Sequence, residues 1–353
     1  MQKILIINKA QLGYNTDSYK WCEHLNKTYQ VTYFGFDCGL EKIIIPKVKV
    51  DYISYKGAKV VRGTRFIILA LIKLLFFNGK IIVVFFNGCQ IFKKVFPHKK
   101  MILDIRTLSI STDVRIRKKY NYNLRVTSSL YDHVTIISEE LRRKIDIPIE
   151  KTSILPLGSD SISNIKKSFE KINLLYVGTL TGRNIEKTIE GLSLFLLKNP
   201  TVPISYDIIG DGCEGELEKL QILILKYNLQ SIVKLNGRIP HFQLAPFFDR
   251  CNIGISFVPI TEYYDFQPVT KTFEYILSGM YCIATNTYSN RLIISKENGL
   301  LIEDSSDAFN KSLEYVYKEM ASFKSDLIKN TLKDYTWHNI VKTYLLPILN
   351  KNS

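Results

Sequence analysis

The sequence predicts an α/β chain of two doubly wound, parallel-sheet domains. Three observations carry this. Short apolar runs alternate with stretches of helical periodicity along most of the chain, the rhythm of successive βαβ units. The rhythm pauses once, at 158–170, where GSDSISNIKKSFE is polar and aperiodic, and then resumes. The length, 353 residues, suffices for two separate cores.

In chain order, the first series has strand-like runs at 4–8, 31–36, 81–86, 101–104, 134–137 and 154–156. Helical patterns fall at 16–27, 64–77, 113–131 and 139–145. The second series has strands at 173–177, 204–209, 233–235, 253–258, 281–285 and 300–303, with helices at 185–198, 215–227, 242–250, 270–278 and 307–320. Each half is thus a Rossmann-like domain. The expected division is 1–158, a linker at 159–171, a second domain at 172–330, and a helical tail at 331–353 packing back on the first domain. Ligands of open parallel sheets bind beyond the carboxyl ends of the strands, so two such sheets facing a cleft would carry their chemistry on the loops that follow strands.

Composition narrows the partners. Hydrophobic residues make up 46% and charged residues 23%, which argues against disorder. The net charge is +15, with basic clusters at 93–100, 115–119 and 142–144. Such a field attracts nucleic acid, an anionic membrane surface or phosphorylated small molecules; a solvated face satisfies any single cluster equally well. Nucleic acid has the charge in its favour but no recognition motif, and no nucleic-acid partner is expected. The six cysteines form no CxxC pair and sit at no metal spacing with histidine. They read as small buried hydrophobes in a reducing, cytoplasmic compartment. The apolar stretch 66–86 is broken by Lys73 and by Asn78-Gly79-Lys80, and neither half reaches a bilayer's width. It reads as helix, turn and buried strand, with a membrane-docking helix at 65–77 as the alternative.

Four loops could carry chemistry. Tyr176-Val177-Gly178-Thr179-Leu180-Thr181-Gly182-Arg183 runs from a strand through glycines into a helix, whose N-terminus and Arg183 suit a phosphate. Ile208-Ile209-Gly210-Asp211-Gly212 ends a buried strand in a turn where Gly210 would let the backbone approach a flat ligand. At Leu235-Asn236-Gly237-Arg238-Ile239-Pro240, backbone groups of Arg238 and Ile239 could pair with a base edge. Plain βα turns would explain each of these. The fourth, Pro268-Val269-Thr270-Lys271-Thr272-Phe273-Glu274 through Gly279, is more informative. Pro268 rigidifies the entry, Thr270 is the expected N-cap and Gly279 the expected C-cap. Lys271 lies in the first turn, against the helix dipole, which makes sense if an anion shares the site. Glu274, one turn on, could accept hydrogen bonds from vicinal ribose hydroxyls. The competing account is a surface Lys271–Glu274 salt bridge.

Taken in order, YVGTL with Arg183, LPLGSD, IIGDG, LNGRIP and PVTKTFEYILSGMYCIAT resemble the retaining glycosyltransferases called group 1, or family four, of GT-B fold. The resemblance covers 150–305 well and the first half in outline. It implies that Gly178 lines the cleft, that Arg183 and Lys271 neutralise a donor diphosphate, and that Glu274 holds the ribose. Gly210, Arg238 and Ile239 would flank the base, and 261–269, with Pro268, Val269 and Thr270, would face the sugar and β-phosphate. Where members carry a paired acid this chain has Phe266, with Asp265 one position off. Gly13, after the first strand, stands where the family keeps a glycine loop, and Asp104 is the candidate for an acceptor-side basic role.

The resemblance implies a metal-independent hexosyltransferase with no cofactor beyond its donor. Sugar would pass from a nucleotide-sugar donor to a saccharide or lipid-linked saccharide acceptor, in surface polysaccharide synthesis. The basic first half would hold the enzyme on the inner face of the membrane. Two rivals remain: a nucleotide-sugar epimerase of the same fold, and a non-catalytic nucleotide-sugar-binding partner. Oligomeric state is left open.

Overall fold

The computed structural model describes residues 1–351; the last two positions of the expected tail lie outside them. The chain forms two compact units. One comprises Met1–Gly158 and the C-terminal segment from Trp337 onward, the other Ser159–Thr336.

The first unit holds β1 (Lys3–Ile7), α1 (Thr16–Leu25), β2 (Gln30–Asp37), β3 (Val48–Ser54), α2 (Lys59–Phe76), β4 (Lys80–Val84) and α3 (Gln90–Val95). It continues with β5 (Ile102–Ile105), α4 (Val114–Leu130), β6 (His133–Ile136), α5 (Glu139–Lys144) and β7 (Thr152–Ile154). Its seven strands, all parallel, run in the order β3-β2-β1-β4-β5-β6-β7. Ile4, Leu5, Ile6 and Ile7 are fully buried, because helices cover both faces of a parallel sheet and leave its strands no solvent side.

The second unit holds β8 (Ile172–Val177), α6 (Glu186–Lys198), β9 (Ile204–Ile209), α7 (Glu216–Lys226), β10 (Val233–Leu235), α8 (Ala245–Arg250) and β11 (Ile253–Ser256). Then come α9 (Thr270–Leu277), β12 (Tyr281–Thr285), α10 (Tyr288–Arg291), β13 (Gly299–Ile302), α11 (Ser306–Glu319) and α12 (Ser325–Asn330). Six parallel strands run β10-β9-β8-β11-β12-β13. The order reverses between β8 and β11, which makes the carboxyl ends of those two strands the place for a ligand.

Several elements differ from the sequence expectation. The edge strand β3 is absent from it: VKVDYIS is half-exposed along its length and lacks the continuous apolar run by which the buried strands show themselves. Helix α2 starts at Lys59 rather than 64. The single helix expected at 242–250 is a 3₁₀ turn, His241–Gln243, followed by α8 with Pro246 in its first turn. Proline lacks the N–H that a continuous helix would need there. Segment 159–171, expected as a linker, is docked within the second unit: Ser159, Ser163 and Lys167 are buried. The Lys167 ammonium donates to Ser163 Oγ at 2.9 Å and to the Phe248 carbonyl at 2.6 Å. The C-terminal segment forms α13 (Trp337–Ile340), a π-helical turn (Val341–Leu345) and α14 (Leu346–Lys351). It buries Trp337 against the first unit, and Tyr29 Oη donates to Asn350 Oδ1 at 3.1 Å.

Candidate functional site

The site builds up where the second sheet reverses order. Past its strands, the loops are stitched together by backbone hydrogen bonds. Gly178 N donates to the Ile209 carbonyl at 2.9 Å, Gly210 N to Gly237 at 2.8 Å and Leu180 N to Asp211 at 2.8 Å. Gly178 and Gly210 both adopt positive φ, 148° and 154°. A Cβ on Gly210 would lie 1.8 Å from the Gly178 carbonyl oxygen. The glycine expected to make room for a flat ligand is thus required by the neighbouring loop itself.

Helix α9 stands over this floor. From Thr272 to Leu277 every residue is buried. Tyr275 Oη accepts from Val177 N at 2.8 Å, and Thr272 and Ser256 share a 2.6 Å hydroxyl contact. The helix closes with Gly279 N bonded to the Ile276 carbonyl and Met280 N to Tyr275, with Gly279 at φ +75°. That is a Schellman end of the kind expected. Its start corrects the reading of Thr270: Val269 occupies the cap position and no side chain caps the helix. Thr270 is already the first helical residue, because Val269, after the rigid Pro268, is the last residue in an extended conformation. The orphan N–H groups of the first turn therefore have no side-chain cap.

Lys271 is half-buried in that first turn, and its Nζ lies 3.9 Å from the centroid of the Tyr176 ring. It reaches the β8 loop, where a Cβ built on Gly178 would sit 3.8 Å from Nζ. Arg183 lays its guanidinium over Tyr264 at 4.2 Å, and its Nη1 is buried without a hydrogen-bond partner. Among the described residues neither cation has an ion-pair partner. Burial, and then the nearby Arg183 charge, hold the Lys271 ammonium well below the usual lysine range. The expected alternative, a Lys271–Glu274 bridge, is not formed. The Glu274 carboxylate is buried, and its Oε1 lies 3.0 Å from Nε2 of His241.

The other expected site residues fall around this centre. Arg238 is exposed, 3.6 Å from the Asp211 carboxylate, and Ile239 is half-buried beside it. Pro268, Val269 and Thr270 form the half-buried approach to α9. Asp265, one position from where the resemblance would place an acid, accepts from Tyr288 N at 2.6 Å, and Phe266 stacks on Tyr288 with centroids 5.1 Å apart. Sequence reasoning missed Tyr176, Tyr264 and His241 as parts of the site. The two tyrosines flank the predicted cations in the chain, but only the fold shows that their rings contact them.

Gly13 and Asp104 lie in the first unit. Gly13, at φ +96°, packs against Ile43, so its loop is closed by a side chain. Asp104 lies fully buried in β5, which does not suit the acceptor-side base expected of it, since no hydroxyl from solvent reaches it. Thr135 Oγ1 donates to it at 2.7 Å, and Arg106 Nη1 stands 3.8 Å away while Nη2 lies 2.5 Å from Asp17. Burial pushes the Asp104 carboxyl up to about 7, against the pull of Arg106 and Thr135. Protonated, it leaves Arg106 and Asp17 as a neutral pair.

A stability prediction follows with a definite sign. Between the unfolded value, about 4, and the folded one, the native state binds the extra proton, so stability falls as pH rises through that window. Asp104→Asn is expected to flatten this slope, by up to about 4 kcal/mol. Urea unfolding of both proteins at about pH 5 and about pH 8 measures it; parallel slopes would refute the assignment.

No family model and no curated protein matches the sequence. Solved structures do match the fold. A sucrose-phosphate synthase from Thermosynechococcus elongatus superposes with TM-score 0.78 at 17% identity, covering 99% of each chain. The lipopolysaccharide outer core galactosyltransferase WaaB gives 0.72 at 17%, again over 99% of each. Anabaena HepE in complex with UDP and glucose gives 0.74 at 12%, over 99% of this chain and 100% of that one. The chain therefore has the fold of GT-B glycosyltransferases, two parallel-sheet Rossmann-like domains.

Proposed function

We propose that this chain is a glycosyltransferase that draws a sugar from a nucleotide-sugar donor bound at the β8–α9 site. The observation that carries this reading is the pair Arg183 and Lys271, two half-buried cations without a carboxylate partner, beside the uncapped first turn of α9. Two uncompensated charges held together out of water are costly unless an anion completes the site. A pyrophosphate supplies that anion. Glu274 keeps Oε2 for ribose hydroxyls while His241 holds Oε1.

Transfer breaks the bond between the anomeric carbon and the leaving diphosphate oxygen and forms one from that carbon to an acceptor hydroxyl oxygen, whose proton passes to the departing diphosphate. Negative charge grows on the diphosphate as the bond breaks. Fixed cations and backbone N–H groups aimed at that oxygen lower the barrier by about 3–4 kcal/mol per donor. Arg183 and Lys271 here supply the charge that a divalent ion supplies elsewhere. We assign the retaining stereochemical course, from the resemblance of the PVTKTFEYILSG segment. The acceptor is a saccharide or lipid-linked saccharide at the cytoplasmic face of a membrane, in surface polysaccharide synthesis. The complex of HepE with UDP and glucose, and the lipopolysaccharide galactosyltransferase WaaB, support this class of donor and acceptor.

A thermal-shift screen over UDP, GDP and ADP tests the donor site. A true ligand at one hundred times its Kd adds about 2.7 kcal/mol of stability. Glu274→Gln is expected to leave the fold intact and weaken the selected nucleotide about tenfold, while the bare diphosphate binds as before. Silence toward every nucleoside diphosphate removes the proposal. Epimerisation of a nucleotide-sugar without acceptor replaces it with the epimerase reading.

A further inference from the structure

Helix α2 is built inside out for a soluble surface. Of its 18 residues only Phe66, Ala70 and Leu74 are buried. Val61, Ile68, Ile72 and Leu75, spaced seven, four and three residues apart, repeat at helical period on the opposite side. They are exposed, as is Phe76 at 81%. The helix contains no acidic residue, and between Asp51 and Asp104 the sequence has neither Asp nor Glu.

Two open clefts flank the last turn of this helix, and both include Lys3 and Phe77. One, of about 740 Å³, is lined by Lys80, His98, Lys99 and Lys100 at the amino ends of the central strands. The other, of about 750 Å³, is lined by Lys47, Lys49 and Lys73 together with Ile72 and Phe76. The carboxylates bordering the clefts are already committed: Asp132 to Lys93 at 2.8 Å, Asp51 to Lys73 at 2.6 Å. Lys80 donates to the carbonyl of Leu349, and Lys99 to that of Phe77, a contact that orients Lys99 without neutralising it.

We propose that the exposed face of α2, with its two flanking basic clefts, is a docking surface for an anionic phospholipid bilayer. The helix lies in the interface plane, with Ile68, Ile72, Leu75 and Phe76 among the upper acyl chains and the clefts facing the headgroup phosphates. The charge pattern selects this occupant. A second copy would bring the same net-positive face, its few carboxylates already paired, and repel it. A nucleic acid would match the lysines but leave the aliphatic face in water. No helix among the described residues is long and apolar enough to cross a membrane, so α2 lies on the bilayer rather than through it. The surface belongs to the first unit and the donor site to the second, and neither needs the other's residues.

The test is co-sedimentation of the full chain with phosphatidylcholine vesicles, with and without phosphatidylglycerol. Binding is expected only with phosphatidylglycerol and is expected to weaken as salt rises. Ile72→Ser with Phe76→Ser should lower the partition coefficient by about tenfold or more, since each removes an apolar side chain from the acyl region. Lys99→Gln with Lys100→Gln should lower it about fivefold or more while keeping the apolar face. Melting temperatures and nucleotide binding of the variants should match the parent, which separates this result from any failure of the donor reading. Equal binding to neutral vesicles, no binding, or serine variants that bind like the parent overturn the proposal. So does a concentration-dependent dimer that the serine variants abolish while vesicle binding is absent.

Discussion

Replacing Lys271 with methionine is expected to make the free protein more stable and to weaken its response to nucleoside diphosphates. Lys271 holds its ammonium beside the Tyr176 ring, away from bulk water and near the Arg183 charge. Its pKa is depressed, so the folded state carries a cost for the charged form that the unfolded chain does not. Above the depressed value the folded side chain has lost a proton that the unfolded one keeps until about 10.4, so over that window stability rises with pH. Below it the full cost applies. Methionine keeps the aliphatic packing and the contact with the ring but removes the charge. The melting temperature should rise by about 2–4 °C for each kcal/mol recovered. Diphosphate affinity should fall about 10- to 100-fold, the worth of a charge-assisted hydrogen bond. In the parent, above the depressed pKa, a bound diphosphate restores the ammonium, so there binding takes up protons and affinity declines with rising pH. Calorimetry in two buffers of different ionisation enthalpy reads that uptake. A methionine variant that melts lower and binds as before would show that Lys271 is a structural cation with its own partner.

How far the sequence could carry this is plain at particular residues. Buried parallel strands announce themselves as continuous apolar runs, and KILII and YCIAT were readable for that reason. The βα loops were readable because glycine and proline punctuate them. Lys271 stood out because a cation in a first helical turn is locally wrong, and local inconsistency marks function. What stayed hidden depends on neighbours far along the chain. Tyr264 comes under Arg183 from 81 positions away, and His241 meets Glu274 from 33 positions away. Asp104 sits near the carboxyl end of a strand, which in an open sheet suggests chemistry, yet within β5 its side chain turns into the unit toward Thr135 and Arg106. Strand direction is written in the pattern, but which face a terminal residue takes is set by register with β4 and β6. The exposed face of α2 was visible only as an apolar run; packing decided which three residues went inside.

Gly210→Ala is expected to be among the most damaging single changes in the second unit. The residue adopts φ +154°, outside the region side chains favour, and its built Cβ falls 1.8 Å from the Gly178 carbonyl oxygen. Backbone cannot rotate away as a side-chain end can. Gly210 N is bonded to the Gly237 carbonyl, and Gly178 N to Ile209, so separating the two loops breaks hydrogen bonds on both sides. Overpacking costs about 1–3 kcal/mol, and the unfavourable φ adds about 1–2 kcal/mol. The sum, about 2–5 kcal/mol, is a large part of a domain's stability. The loop that moves is the one Lys271 reaches over, so the donor site opens with it. Diphosphate affinity should therefore fall even under conditions where the variant remains folded. Gly215→Ala, another positive-φ glycine of the same unit but with nothing within 4 Å of its Cβ, is the control, and should cost only its backbone strain. Urea unfolding of the two variants and calorimetry with the selected nucleotide measure both effects. Equal losses would mean that φ strain alone explains the damage. A Gly210→Ala protein that keeps full affinity would mean that the contact between the two glycine loops does not shape the donor site.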